Sequence, residues 1–227
     1  MQTSEERLGT QPLGKLMFSM GIPTLIAQLI NLLYNIVDRI YIGQGVGREA
    51  LTGVGLTLPI ITIVSAFSAF AGAGGAPLAA IAMGQGNKKR AENILGNVFT
   101  LLCIFTAGLI VVLAWFHKPF LYLVGASDRT YPYAAAYLNI YLLGTLFVQI
   151  VIGLNPFITA QGKPKIAMGS VLIGAVCNII LDPVFIFGFH MGVRGAALAT
   201  VLSQCAGAIW VLRFMISPNT SLRLKKR

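Results

Sequence analysis

"GIPTLIAQLINLLYNIVDRIYIG", residues 21–43, reads as a membrane-crossing helix with one polar side. It is longer than the roughly 20 residues a helix needs to span the hydrocarbon core of a bilayer. Its polar residues are not scattered. Gln28, Asn31, Asn35 and Asp38 recur at spacings of three, four and three, so all four lie on one helical stripe. Tyr34 lies on the same side, beside Asn35. A stripe of amides that ends in a carboxylate is expensive against lipid, so it faces other helices or a wet cavity. This pattern sets the fold class as all-α, a polytopic bundle of membrane helices.

The rest of the chain repeats the theme. Of 227 residues, 56% are hydrophobic and 11% charged, less than half the usual charged fraction of about 25% in soluble domains. Mean hydropathy is +0.78. Apolar runs predict six transmembrane helices, over 17–42, 51–83, 93–116, 134–158, 166–188 and 195–216. The second run is long for a perpendicular crossing, and Pro59 and Pro77 permit kinks within it. The expected organisation is a cytoplasmic N-terminal segment at 1–16, a six-helix lobe at 17–216 and a basic cytoplasmic tail at 217–227. Residues 1–15 are polar and show no signal-peptide pattern, so the first helix is the expected membrane-targeting element.

Charge placement predicts orientation. Arg7, Lys15, Lys88, Lys89, Arg90, Lys163, Lys165, Arg223, Lys225, Lys226 and Arg227 fall on one side of the six spans. Arg48, Lys118, Arg129 and Arg194 fall on the other. The positive-inside rule then places both termini of the multi-pass chain in the cytoplasm. The net charge of +10 therefore reports topology and contact with membrane lipid, and does not imply a nucleic-acid partner. Cys103, Cys177 and Cys205 fit no redox or metal spacing and read as buried free thiols. No Walker A sequence, catalytic triad or metalloprotease motif is present, so the chain is not expected to be an enzyme or to carry a cofactor.

The second intramembrane acid is Asp182, in "CNIILDPVFIFG", residues 177–188. Asn178 lies four residues earlier on the same face. Pro183 has no amide hydrogen, so it frees the carbonyl of Ile179 and serves as a hinge. A freed carbonyl beside a carboxylate and an amide is a start for a cation site of the kind broken transporter helices build. On the last span Thr200, Ser203, Gln204 and Gly207 form another stripe. Counting back from the span ends, Asp38, Asp182 and Thr200 share a depth of about 8 Å from one boundary at ~1.5 Å per residue. Two ionised carboxylates so placed demand a positive charge, which Na⁺ or a proton supplies. Arg39 is set aside as that charge, since it points about 100° from Asp38 around the helix. Tyr137 and Tyr141 share a face of the fourth span as candidate cavity-lining residues, and Pro23 is a candidate hinge in the first.

These residues resemble those of the multidrug and toxic compound extrusion (MATE) family of secondary transporters. "NIVDRIYIGQGVGREALTGVGLTLPI" resembles the family's first hairpin, and "AMGQGNKKRAENILGN" resembles the end of helix 2 and its loop. "NPFITAQGKPKIAMG" followed by "CNIILDPVFIFGFHMGVRGAALATVLSQ" resembles helices 4 to 6. The resemblance implies two six-helix lobes about a pseudo-two-fold axis along the membrane normal, with a cavity between them. It also implies export of amphipathic, often cationic, compounds in exchange for Na⁺ or H⁺. The family's cation site maps onto Asp38, Asn178, Asp182 and Thr200, and Pro23 matches a helix 1 proline associated with bending. Thr159 stands where many members have arginine. Only one of two lobes is represented, so the expected partner is a second lobe, either a missing half or another copy in a parallel homodimer. Two other readings compete: a lipid-linked precursor flippase, which would want a cationic cavity, and a non-transporting lobe that acts as an assembly scaffold.

Overall fold

The computed structural model describes residues 12–218 and 220–224. Residues 1–11 and the tail cations Lys225, Lys226 and Arg227 lie outside the described residues, as does the side chain of Lys15. Among the described residues eight α-helices follow in order: α1 Leu13–Gly45, α2 Arg48–Gly55, α3 Leu58–Gly84, α4 Lys88–Leu123, α5 Tyr131–Leu143, α6 Thr145–Ala160, α7 Pro164–Pro183 and α8 Val193–Ile216. A π-helical turn, Val184–Gly188, extends α7. Five of these units are long and apolar enough to cross a membrane, counting α2 with α3 and α7 with its π turn. The pair α5–α6, bent by 60°, makes a sixth if it is one span.

Three boundaries differ from the sequence reading. The expected span 51–83 divides at Leu56–Thr57, and Pro59 opens α3, where its missing amide hydrogen costs nothing. Lys88–Arg90, read as a loop, form the first turn of α4, because the Asn87 side chain accepts from the Arg90 amide at 3.0 Å and caps the helix. The expected span 134–158 breaks at Gly144. There the amide bonds three residues back, to Tyr141 at 2.9 Å, and a Cβ would meet Val201 of α8 at 2.5 Å. Close approach to α8 therefore selects glycine, and glycine permits the break. The three cysteines are free but half-buried on helix surfaces, where expectation had them buried.

The core has two ends. Ile42, Ile60, Leu121, Leu138 and Ile186 pack together near the C-terminal end of α1. Leu95, Leu102, Leu154, Phe157 and Met215 pack at the opposite end. Between them Ser68 of α3 donates to Gln149 of α6 at 2.9 Å, both fully buried. At the same crossing Gly72 and Gly153 bring α3 and α6 into near backbone contact, as small residues do in membranes. By contrast, Leu25, Leu29, Leu32, Leu33 and Ile36 of α1 are exposed, which suits a face against lipid.

One clamp was not legible beforehand. The fully buried Gln161 follows α6, and its Oε1 accepts from Thr220 Oγ1 at 2.6 Å and from the amides of Ser221 and Leu222 at 3.0 and 3.1 Å. Its Nε2 donates to the Phe157 carbonyl at 3.1 Å. Leu222 is thereby held in the core beside Met215.

Gly72→Ala is expected to destabilise by about 1–3 kcal/mol, as overpacking does. The reason is that its Cβ would stand 2.6 Å from the Gly153 carbonyl oxygen. Gly74→Ala meets nothing within 4 Å and is expected to be neutral or slightly stabilising. Thermal unfolding in mild detergent compares the two.

Candidate functional site

The stripe on α1 faces an elongated cavity of about 850 Å³ bounded by every helix except α4. That volume falls within the range of small-molecule pockets. It borders α1 from Met20 to Arg39, a length of ~28 Å at ~1.5 Å per residue. Gln28, Asn31, Tyr34, Asn35 and Asp38 all line it, as do Tyr137, Tyr141, Thr200 and Gln204. Asn35 donates to the Asn31 carbonyl at 2.7 Å and to its side-chain oxygen at 3.0 Å, so the amides support one another on the cavity wall. The rings of Tyr137 and Tyr141 stack 6.3 Å apart and are buried.

At one end of the cavity the intramembrane acids meet. Asp38 and Asp182 lie within hydrogen-bonding reach of each other. Asp182 is fully buried and Asp38 is 9% exposed. Asn178 Nδ2 donates to Asp182 Oδ1 at 3.3 Å. The Tyr137 hydroxyl lies 3.4 Å from Thr200 Oγ1 and close enough to feel the charge of Asp38. Four helices thus converge: α1 brings Asp38, α5 Tyr137, α7 Asn178 and Asp182, and α8 Thr200. Asp38 and Thr200 border the cavity, whereas Asn178 and Asp182 stand behind its wall.

Local backbone chemistry explains the placement on α7. Pro183 cannot donate to the Ile179 carbonyl, and the chain widens into the π turn before Gly188. In that turn Phe189 bonds back to Val184 at 2.9 Å. On α1, Pro23 is buried within an otherwise continuous helix.

Hydrogen bonding leaves this end of the cavity unsatisfied. Asp38 Oδ1, Asn178 Oδ1, Asp182 Oδ2 and Ser203 Oγ are buried without a partner. Each buried oxygen without a partner calls for an explanation, and a water, a proton or a cation in the adjoining cavity would supply one. Two carboxylates with neutral oxygens suit a monovalent cation or a proton. They do not suit a transition metal, and among the described residues no cluster of three or more His, Cys, Asp or Glu side chains exists.

Two further residues border the cavity that the sequence reading passed over. Arg39 does so beside Asp38, near enough for its charge to bear on that carboxylate. Asn155 lies towards the other end, hydrogen-bonded to Ser170 at 2.9 Å. Its signal was Pro156, which loosens the same stretch of α6.

Comparison with known proteins adds to this geometry. Residues 23–184 match the family model described as MatE. The chain is 30% identical over 210 residues to the "Multidrug export protein MepA" of Staphylococcus haemolyticus (strain JCSC1435), covering 92% of this chain and 46% of the relative. It resembles a solved structure described as "Crystal structure of MATE in the bent conformation", with TM-score 0.87, 26% identity, 93% of this chain covered and 47% of the other. A second solved structure, "protein A", superposes with TM-score 0.91 at 34% identity, covering 99% of this chain and 51% of the other. The chain spans about half the length of the curated relatives it matches.

With native cysteines replaced, Asn31→Cys is expected to react with a membrane-impermeant maleimide, because it borders the cavity. Leu29→Cys sits on the opposite, 62% exposed, apolar face and is expected to stay unlabelled in a bilayer. Equal labelling of the two would show that the stripe does not face water.

Proposed function

This chain belongs to the MATE family of membrane transporters, and we propose that it works as one lobe of a cation-coupled exporter of amphipathic, often cationic, organic compounds. The observation that carries the reading is the pair of buried carboxyls, Asp38 and Asp182, at the end of a cavity sized for a small molecule. The kinship with a multidrug export protein supports the substrate class.

Coupling follows from differential affinity. An Na⁺ ion or proton neutralises the carboxyl pair and favours the arrangement in which α1, α7 and α8 close around it. An organic cation in the cavity favours the arrangement in which the pair is free of that ion. Each occupant then stabilises one state against the other, and the ion gradient drives export. Asn178 orients Asp182, Tyr137 orients Thr200, and Tyr34, Gln28, Asn31, Asn35, Tyr141 and Gln204 provide the polar and aromatic wall. α1 is the moving element, with Pro23 as its hinge and Pro183 loosening the helix it packs against.

In this reading both termini face the cytoplasm of a bacterial plasma membrane, as the charge bias requires. The second half of the cavity comes from another lobe, either further chain or a second copy. The flippase reading is disfavoured by the lining, whose charged residues are Asp38 and Arg39 rather than a cationic cluster. The half length of the match keeps a scaffold role as the second reading.

In proteoliposomes with an imposed Na⁺ or H⁺ gradient, Asp38→Asn and Asp182→Asn are each expected to abolish gradient-driven efflux. Efflux retained in both would remove the carboxyl pair from the mechanism. A wild-type chain that moves no compound under either gradient would support the scaffold role.

A further inference from the structure

The charged residues that border the cavity carry opposite signs: Asp38 and Arg39. No other Lys or Arg among the described residues borders it. Arg39 is also left over. No ion pair or hydrogen bond joins its side chain to another described residue. By comparison, Arg129 reaches Glu49 at 4.0 Å, and Arg223 donates to the Pro218 carbonyl at 2.9 Å. Lys118 and Lys163 stand over the rings of Tyr131 and Phe214. Asp38 is the nearest candidate to pair with Arg39, yet its carboxyl is set against Asp182 on α7. The charges of Asp38 and Arg39 act on each other without an ion-pair contact.

A guanidinium in a membrane helix cannot give up its charge as a carboxyl can, so it needs water or an anion. Its N–H groups form a planar fork that matches a carboxylate with two parallel bonds. The surroundings suit an organic anion better than an inorganic one. Val54 and Ile61, in the apolar cluster at this end, border the same cavity, and so do Tyr34, Tyr137 and Tyr141. Successive side chains on a helix diverge by about 100°, so Asp38 and Arg39 spread their charges along the wall. That wall presents a negative and a positive group side by side, with apolar and aromatic surface next to them.

We propose that Arg39 is a substrate-recognition residue, taking the carboxylate of an amphipathic compound whose cationic end lies toward Asp38 and Asp182. This inference rests on the reading that the cavity holds the exported compound, and it narrows the preferred occupant to dipolar molecules that carry both charges. An organic cation satisfies the carboxyl pair alone and leaves Arg39 unpaired. A compound with both charges satisfies both groups on the wall.

Rhodamine B and its ethyl ester test this, because the dyes share a cationic ring system and differ in whether the carboxyl is free. Binding of each to the purified full chain is read by equilibrium dialysis in mild detergent, with detergent alone as the blank. Arg39→Gln is expected to weaken rhodamine B by ~10-fold or more, the equivalent of a lost charge-assisted hydrogen bond. The ester is expected to bind that variant as well as wild type, or more tightly. Arg39→Lys keeps the charge and loses the fork, and is expected to fall between wild type and Arg39→Gln for rhodamine B. Equal losses for the two dyes in Arg39→Gln would make Arg39 a structural residue, and unchanged binding of both would leave it to water or lipid. Either result overturns the assignment, as would a wild-type chain that binds the ester and not rhodamine B. A wild-type chain that binds neither dye would contradict the proposed substrate class itself, and the role of Arg39 with it.

Discussion

Two carboxyl groups within hydrogen-bonding reach inside an apolar protein set the terms for everything around them. At 4 Å and an effective dielectric of about 20, two like charges repel by roughly 4 kcal/mol, before either is charged for leaving water. The neighbourhood offers only partial relief. Asn178 reaches one oxygen of Asp182, and Arg39 bears on Asp38 from the cavity wall. Under the proposed function a further positive charge stabilises the pair, and a site whose stability depends on an occupant is by that fact able to report whether the occupant is there. That is the physical requirement of ion coupling.

The rest of the lobe holds the pair in place while leaving one member free to move. Asp182 sits on α7, which packs along α8 and is extended by the π turn. Asp38 sits on α1, whose most apolar stretch is only 6% buried within the lobe. Lipid replaces protein along most of that helix, so moving it disturbs few side-chain contacts. The opposite end is tied down: Gln161 clamps the segment after α8 to the tip of α6, and Gly72 against Gly153 locks α3 to α6. The packed unit of α3, α4 and α6 stands apart from α1, which packs chiefly along α7.

Much of this was legible from residue types. Membrane helices announce themselves by length and apolarity, and an acid within them stands out because it is costly; the amide stripe leading to Asp38 needed only helical periodicity. What was not legible depended on contacts between distant residues. The break at Gly144 is selected by Val201 on another helix, and no local signal distinguishes this glycine from the many that merely ease packing. Pro59 looked like a kink and proved to be a helix start, because the same missing amide hydrogen suits both. Gln161 carries no local signal of its role, because its partners lie some sixty positions later in the chain.

The central claim is that Asp38 and Asp182 act as one site. A double-mutant cycle tests it directly, read as the gain in melting temperature when the purified chain is given its ion, as Na⁺ or as added protons. If one occupant is shared, Asp38→Asn, Asp182→Asn and the double variant lose that gain to the same extent, because removing either carboxyl removes the site. Losses that are partial in each single variant and add up in the double would mean two independent carboxyls, and would contradict the account.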